Sequence, residues 1–188
     1  LNGIQVGASS VGAASGQGAD SAYSIVAAIN AVSSQSGVTA TAAVTKSAAI
    51  TVGGFGAVAA NVGTVNGISV GAIAAGVDAI GSGANVAAAF NLVSAQSGVT
   101  ATSDAATGAV TFSAADGRNI DISGFAAAGT TIANQTVKAG VKLDTSAAGG
   151  ITVSGGSPAK AGLVAGNTAA TTTLTVNSIS SINVLTAA

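Results

Sequence analysis

The sequence lacks several residue types on which common catalytic and metal sites depend. Its 188 residues include no cysteine, histidine, methionine or tryptophan, and all six acidic residues are aspartate. Without cysteine no disulfide framework can form, and without cysteine and histidine the usual zinc ligands are missing. A Ser-His-Asp triad is excluded because its general base is histidine. We therefore expect that the protein is not an enzyme and that it has no cofactor or metal site.

Charge is also scarce. Charged residues make up 6% of the chain and the formal net charge is −1, whereas about 25% of residues are charged in a typical soluble domain. The basic residues are scattered, so no basic patch indicates binding to nucleic acid or to an anionic membrane. The five are Lys46, Arg118, Lys138, Lys142 and Lys160. We expect neither nucleic acid nor membrane among the partners.

Long apolar runs are missing as well, although the mean hydropathy is +0.66. Gly, Ser, Thr or Asn interrupts every apolar stretch before it reaches the roughly 20 residues that a membrane-spanning helix needs. The chain begins with Leu1 rather than methionine, and it shows no secretory signal peptide. Two interpretations stay open: a cytosolic protein, or a piece of a longer protein whose export signal lies elsewhere. The missing methionine favours a trimmed fragment.

An internal repeat organises the first two thirds of the chain. The heptapeptide QSGVTAT of residues 35–41 recurs unchanged at residues 96–102. Upstream, NGIQVG of residues 2–7 matches NGISVG of residues 66–71. Self-similarity at a fixed spacing is typical of a repeated supersecondary unit. The sequence therefore predicts two copies of one such unit.

Each unit is predicted to contain a strand, a helix and two further strands. We place the units at residues 1–62 and 63–125. Helices are expected at 20–33 and 83–95, where apolar residues recur every three or four positions, and glycine is expected to end each helix. The N-caps are expected at Asp20 or Ser21 and at Ser82 or Asn85. The alternating segments predicted as strands are 4–6, 38–41 and 49–52 in the first unit, and 68–70, 99–102 and 110–112 in the second.

The remaining segment, residues 126–188, is predicted to be β-rich with no third copy of the unit. Before it, Asp116-Gly117 stands between alternating apolar runs and predicts a tight hairpin turn. The fold class expected is therefore α+β and dominated by strands, with two repeated strand–helix–strand–strand units. Strands of the last segment are expected around residues 136–137, 141–143, 151–153 and 174–176, between Gly- and Ser-rich turns.

The repeated unit resembles a known family motif. Ala28-Ile29-Asn30 followed by Ser36-Gly37-Val38-Thr39-Ala40 is similar to the flagellin IN motif, a repeat of the central variable region of bacterial flagellins that also occurs in hook-associated proteins. The second copy has Ala89-Phe90-Asn91 followed by Ser97 to Ala101, with Phe in place of Ile. Residues 113–120 resemble the hairpin that closes this motif, and the first copy is expected to lack it. Residues 180–188 resemble the segment in which the variable region of flagellin returns to its helical stem. The conserved helical regions that form this stem are absent from the sequence.

This resemblance implies a structural component of the bacterial flagellar filament. The chain would be the surface-exposed outer domain of flagellin, exported through the flagellar apparatus and contributing to the filament surface and its antigenicity in motility. The partners implied are neighbouring flagellin subunits, and host receptors or antibodies, while the isolated fragment is expected to be monomeric. O-linked sugars are expected on hydroxyls between Thr168 and Ser181. Two alternatives stay open: a hook-associated or capping protein module, and a bacterial adhesin or fibre-like β module that binds glycans or a host surface.

Several short motifs have a chemical interpretation, and in each a structural one is favoured. Ser157-Pro158-Ala159-Lys160 matches the S-x-x-K pattern of penicillin-binding enzymes, but Gly155-Gly156 and Pro158 favour a turn over the required helix. Residues 116–121 offer oxygen ligands without the terminal Glu of a calcium loop. We expect flexible turns at Gly16-Gln17-Gly18 and Gly81-Ser82-Gly83, and no sugar at the sequon Asn134-Gln135-Thr136. No catalytic, cofactor-binding or metal-binding residue is predicted.

Overall fold

The computed structural model describes residues 1–156, 166–168 and 174–175. These residues form an α+β fold in which strands dominate over helices, and this confirms the predicted fold class. No helix in the described part of the chain is long and apolar enough to cross a membrane. The predicted features at residues 157–160 and 180–188, and most of residues 168–181, lie outside the described residues.

Two helices are substantial, and they occupy matching positions in the repeat as predicted. Helix α1 spans Ala22–Asn30 and is followed by a single turn, α2, at Ser33–Ser36. Helix α3 spans Ala79–Leu92 and is followed by the turn α4 at Ser94–Ser97. A short 3₁₀ helix covers Phe125–Ala128. Gly37 and Gly98 end α2 and α4 in the left-handed conformation, with φ of 67° and 69°, which glycine adopts without a steric cost.

The start of α3 differs from the prediction. The expected caps at Ser82 or Asn85 are wrong, because Asp78 caps the helix and its carboxylate accepts a hydrogen bond from the N–H of Gly81 at 2.7 Å. In α1 the predicted cap Ser21 is confirmed. Gly81-Ser82-Gly83, expected as a flexible turn, belongs to the helix. A Cβ at Gly83 would collide with the carbonyl oxygen of Gly108, so packing against that loop outweighs the low helix propensity of glycine.

Twelve strands are described, and all their pairings are antiparallel. The strands are β1 Val38–Ala42, β2 Thr45–Lys46, β3 Thr64–Val65, β4 Ile68–Ser69, β5 Thr100–Ser103, β6 Val110–Ala114, β7 Ile120–Ser123, β8 Gln135–Val137, β9 Val141–Thr145, β10 Ile151–Val153, β11 Gly166–Thr168 and β12 Leu174–Thr175. They form four sheets with the orders β1-β9-β12, β10-β11, β2-β6-β5 and β4-β3-β7-β8. The predicted strand at residues 4–6 is absent, whereas its counterpart in the second copy forms β4.

The strand pairing shows that one copy of the repeat is inserted into the other. Strand β5 pairs with β6, so that Thr100 lies opposite Ser113 and Ala101 opposite Phe112. Strand β1 pairs in the same way with β9, far along the chain. The prediction that residues 49–52 are the next strand of the first copy is wrong, because Ile50 forms only an isolated bridge to Val110. In the first copy β9 and β10 follow in the places that β6 and β7 take in the second, and in neither copy do these two strands pair with each other.

The buried apolar residues follow this insertion. One cluster draws its residues from positions 50–137 and contains Phe90, Phe112 and Phe125. The ring centroids of Phe90 and Phe112 are 4.6 Å apart, and those of Phe90 and Phe125 are 5.2 Å apart. The other cluster combines residues 1–42 with residues 139–153. We call these the inner motif and the outer motif. Their cores do not follow the unit boundaries expected at residues 62 and 125.

Candidate functional site

The end of each long helix is joined to a strand edge by one asparagine side chain. Asn30, the last residue of α1, accepts a hydrogen bond from the N–H of Ala40 at 2.7 Å through Oδ1, and its Nδ2 donates to the carbonyl oxygen of Ala40 at 2.9 Å. A side-chain amide carries the same donor and acceptor as a peptide group. Since β1 is the first strand of its sheet, Asn30 pairs with its free edge as a neighbouring strand would. We call this arrangement the asparagine clamp.

The inner motif contains the same clamp. Asn91 Oδ1 accepts the N–H of Ala101 at 2.8 Å, and Asn91 Nδ2 donates to the carbonyl oxygen of Ala101 at 2.9 Å. Both asparagines are exposed, while Ala40 and Ala101 are buried. The clamp therefore satisfies backbone groups at the boundary between strand and solvent, where an unpaired edge would otherwise accept another strand.

Two serines in each motif complete the turn between helix and strand. Ser33 and Ser94 donate from Oγ to the carbonyl oxygens of Asn30 and Asn91, at 2.8 Å and 2.7 Å. Further along, the hydroxyls of the last α2 and α4 residues, Ser36 and Ser97, accept the N–H of the residue two positions on, both at 3.2 Å. These bonds explain why the spacing from Asn to Ser-Gly is kept between the two copies.

A second asparagine in each motif ties the turn to the last strand. In the outer motif Asn2 Nδ2 donates to the carbonyl oxygen of Ser36 at 2.9 Å, and the N–H of Thr152 donates to Asn2 Oδ1 at 2.7 Å. In the inner motif Asn66 makes the equivalent bonds with Ser97 and Asp121, at 3.0 Å and 2.8 Å. Both asparagines have φ of 50°, a left-handed conformation that Asn tolerates better than most residues.

Sequence reasoning treated these Asn-Gly pairs only as markers of the repeat and missed their structural role. The signal was present, because Asn2 and Asn66 are identical residues at matching positions outside the helix. Each is followed by a glycine with positive φ, 80° at Gly3 and 76° at Gly67. Two successive residues of this conformation form the tight turn for which Asn-Gly is the preferred pair.

The turn at residues 116–119 joins the inner motif to the outer one. A turn forms at Asp116-Gly117 as predicted, with φ of 77° at Gly117. The predicted hairpin is wrong, because the flanking strands β6 and β7 lie in different sheets and do not pair with each other. Arg118 donates from Nε and Nη2 to the Asp116 carboxylate, at 2.9 Å and 2.8 Å, and from Nη1 to the carbonyl oxygen of Ser15 at 3.0 Å. Its Nη1 also donates to Ser97 at 3.3 Å. A single side chain, 14% exposed, therefore contacts both motifs. We call this contact region the joint.

Other residues of the outer motif reinforce the joint. The N–H of Asn119 donates to the carbonyl oxygen of Gly16 at 2.8 Å. Gln17 donates from Nε2 to Asp116 at 3.1 Å. Burial raises the pKa of the Asp116 carboxyl, but the hydrogen bonds from Arg118 and Gln17 outweigh it, and the pKa lies below its usual value. Because Asp116 is already paired with a guanidinium, the structure favours the turn over a calcium loop at this position.

An ion pair lies on the other side of the joint. Lys138 Nζ is 2.6 Å from Asp20 Oδ2, and Asn119 Nδ2 donates to Asp20 Oδ1 at 3.0 Å. Burial raises the pKa of Asp20, but the hydrogen bond and the charge of Lys138 outweigh it, and the pKa lies below its usual value. Both oxygens of this carboxylate are therefore engaged, one by Lys138 and the other by Asn119.

An open groove of about 500 Å³ lies beside the joint, lined by residues that include Val11, Gly16, Asp20 and Asp121. It has no aromatic residue in its lining for a sugar or a base to stack on. The Oδ1 atom of Asn119 is buried and accepts no hydrogen bond within the described residues. Since solvent does not reach this atom, a molecule in the groove would not contact it. Among the described residues, no three acidic groups lie together in a way that would hold a metal ion.

Two further motifs with a chemical interpretation fall within the described residues, and there their side chains make structural contacts. Gln17 of Gly16-Gln17-Gly18 is buried and bonded within the joint. Asn134 of the sequon accepts the N–H of Gly124 at 2.9 Å. Neither a scan against protein-family models nor a search of curated proteins finds a match to this sequence. The feature that the two motifs share most closely is the asparagine clamp, which is built twice on the repeated residues.

Proposed function

We propose that the chain is the surface-exposed outer domain of a bacterial flagellin, a structural component of the flagellar filament. The observation that carries this proposal is the asparagine clamp, found twice on the residues that resemble the flagellin IN motif. In each copy the two adjacent residues have different structural roles. Ile29 and Phe90 fill the two cores, at 2% and 0% exposure, while Asn30 and Asn91 each bond a strand edge. The same two roles therefore recur in both copies, and this supports the resemblance to the flagellin IN motif.

The arrangement of the outer motif supports a projecting domain. The N–H of Asn2 donates to the carbonyl oxygen of Thr152 at 2.9 Å, so an early and a late segment of the described chain lie side by side. A domain that the chain enters and leaves at neighbouring points can extend from a stem formed by other parts of a longer protein. The inner motif then lies between these points in sequence, carried by the hairpin of the outer one.

The proposal includes the location and partners that the motif implies. The domain lies on the outside of the filament after export through the flagellar apparatus, next to the domains of neighbouring subunits, where antibodies and host receptors meet it. It has no catalytic role. The clamps occupy the β1 edge of one sheet and the β5 edge of another, and this supports an isolated domain that stays monomeric.

Immunogold electron microscopy tests the proposal and separates it from the alternatives. Antibodies are raised against residues 1–156 and applied to cells that carry the gene, with cells lacking the gene as the control. The proposal predicts gold along the full length of the filaments. Gold confined to the filament tip or to the junction with the hook would favour a capping or hook-associated protein, and gold on the cell body would favour an adhesin. Either pattern would contradict the proposal.

A further inference from the structure

The connection that carries the inner motif has an equivalent in the inner motif itself. In the outer motif Ala42 pairs with Val141, and beyond this pair the N–H of Ala43 donates to the carbonyl oxygen of Gly140 at 3.0 Å. In the inner motif Ser103 pairs with Val110, and the N–H of Asp104 donates to the carbonyl oxygen of Ala109 at 2.8 Å. The two hairpins therefore match up to their last hydrogen bond. One continues into residues 44–139, and the other closes through residues 105–108.

The match between the two hairpins shows what a segment inserted between their paired strands requires. Its two ends must lie as close together as paired residues of an antiparallel hairpin, about 5 Å apart. The entropic cost of a longer connection grows only with the logarithm of its length. The strands below the insertion keep their register because the last hydrogen bond of the hairpin is retained. Residues 44–139 meet these conditions in the outer motif, since β1, β9 and the clamp at Asn30 form as their counterparts do in the inner one.

The loop of the inner motif is suited to accept a segment in the same way. Asp104 Oδ1 accepts hydrogen bonds from the N–H groups of Ala106 and Thr107, at 3.0 Å and 2.8 Å, so the side-chain bonds of the loop are local. Residues 104–107 are exposed. Gly108 is the exception, because its backbone lies against Ala79 and Gly83 at the start of α3. An insertion between Ala105 and Ala106 leaves Gly108 in place.

We propose that the loop at residues 105–108 is an acceptor position for a further folded segment of polypeptide. It is equivalent to the position at which the outer motif carries the inner one. The segment that fits is one whose ends lie at hairpin distance, and a copy of residues 44–139 has this property by its own structure. Such nesting extends the protein at the hairpin end of the inner motif without changing the pairing of the strands beneath. This inference does not depend on the proposed function.

The other tight turn of the inner motif provides a matched control. The turn at Asp116-Gly117 also connects two strands that are consecutive in the chain, β6 and β7, but these lie in different sheets and the turn forms the joint. An insertion there would separate Asp116 from Arg118 and displace the contacts of Arg118 with Ser15 and Ser97. The two positions therefore differ in their tertiary contacts, while both are short connections between strands that are consecutive in the chain.

The first experiment inserts the same flexible Gly/Ser segment of about 12 residues between Ala105 and Ala106, or between Asp116 and Gly117, in the full chain. Thermal unfolding followed by circular dichroism gives the Tm of each variant. We expect a decrease of less than about 5 °C for the loop variant and of more than about 10 °C for the joint variant. Hydrogen exchange at the Ala101 amide should stay slow in the loop variant. An equal decrease in Tm for both, or fast exchange at Ala101 in the loop variant, would overturn the proposal.

The second experiment inserts a copy of residues 44–139 between Ala105 and Ala106 in the full chain, so that Gly108 keeps its place against α3. The proposal predicts that the added copy folds in its new position. Hydrogen exchange then shows slow exchange at the copied Ala101 as well as at the original one. An added copy whose amides all exchange fast, or one that makes the original Ala101 amide exchange fast, would show that the loop is not an acceptor position.

Discussion

Asn91 and Ala101 pair through two hydrogen bonds, of 2.8 Å to the N–H and 2.9 Å to the carbonyl oxygen of Ala101. Asn30 and Ala40 form the same pair with 2.7 Å and 2.9 Å. Ten residues separate the partners in each copy. These two bonds hold the helix, the Ser-Gly turn and the strand edge in the same geometry in both copies. They require a side chain of the length of asparagine that carries both a donor and an acceptor.

Replacing Asn91 with alanine should destabilise the inner motif. The buried residue Ala101 would keep a backbone donor and acceptor without protein partners, and we expect a loss of about 1–3 kcal/mol in the free energy of unfolding. Urea titration followed by circular dichroism measures it. Asn85→Ala is the matched control, because the Asn85 amide donates to the exposed carbonyl oxygens of Ala74 and Ala75, where water can replace it. Equal effects of the two substitutions would contradict the role of the clamp.

Replacing Arg118 with alanine should weaken the joint. The substitution removes the bonds to Asp116, Ser15 and Ser97, and we expect a loss of about 2 kcal/mol in the free energy of unfolding. Arg118→Lys should recover little of it, because an ammonium group does not reproduce the forked geometry of the guanidinium. The control is Lys142→Ala, which removes an exposed ion pair with Asp144 and should cost less than about 1 kcal/mol. A full rescue by lysine would show that only the charge matters.

Stability should be insensitive to pH near neutrality and should fall only in acid. The pKa values of Asp20 and Asp116 in the folded protein lie below the usual value, so the folded state binds protons less readily than the unfolded one. The stabilisation is then fully present above the unfolded pKa of about 3.9 and is lost as the pH falls through the lower folded values. With no histidine in the sequence, no side chain with an ordinary pKa titrates between about pH 5 and 8.

Urea midpoints at pH 7, 5 and 3 measure this dependence. We expect equal midpoints at pH 7 and 5 and a lower one at pH 3. In Asp116→Asn the difference between pH 5 and pH 3 should be smaller, because one of the shifted carboxyl groups is gone. A midpoint that rises on acidification would contradict the stated direction of the pKa shifts.

Truncating Phe112 should loosen the inner core more than the outer one. Phe112 is fully buried and its ring centroid lies 4.6 Å from that of Phe90, and removing a buried ring costs about 3–5 kcal/mol. Hydrogen exchange in Phe112→Ala should therefore accelerate at Ala101 more than at Ala40. Leu143→Ala in the outer core should reverse this order. Uniform acceleration at both amides in both variants would indicate a single cooperative core.

Much of this fold can be predicted from local patterns. The repeat, the positions of both helices, the glycines that end them and the Asp-Gly turn all depend on residues close together in the chain. The insertion of the inner motif into the outer one does not depend on such local patterns. The closing segment of the outer motif, residues 141–155, shares with residues 110–124 only Val141, Ile151, Ser154 and Gly155 at matching positions, because the rest of each segment adapts to different neighbours. Pairing across an inserted motif leaves no local pattern.

The candidate site was harder to predict for a related reason. Asn30 and Asn91 were recognised as motif residues, yet their bonding to Ala40 and Ala101 depends on how each helix meets a strand edge. The start of α3 shows the opposite failure, since Gly81 and Gly83 indicated a turn by propensity. The close approach of Gly108 to Gly83 reversed that preference, and such a contact is set by tertiary packing.

The composition of purified filaments tests the proposed function most directly. Filaments are sheared from cells that carry the gene, purified and digested with elastase, since lysine and arginine are too few for useful tryptic peptides. Quantitative mass spectrometry then compares peptides of this chain with those of the main filament protein. The proposal predicts peptides from residues 1–156 in equal molar amount to the rest of that protein. Filaments that contain none of these peptides, or only the trace expected of a cap or a junction, would contradict it.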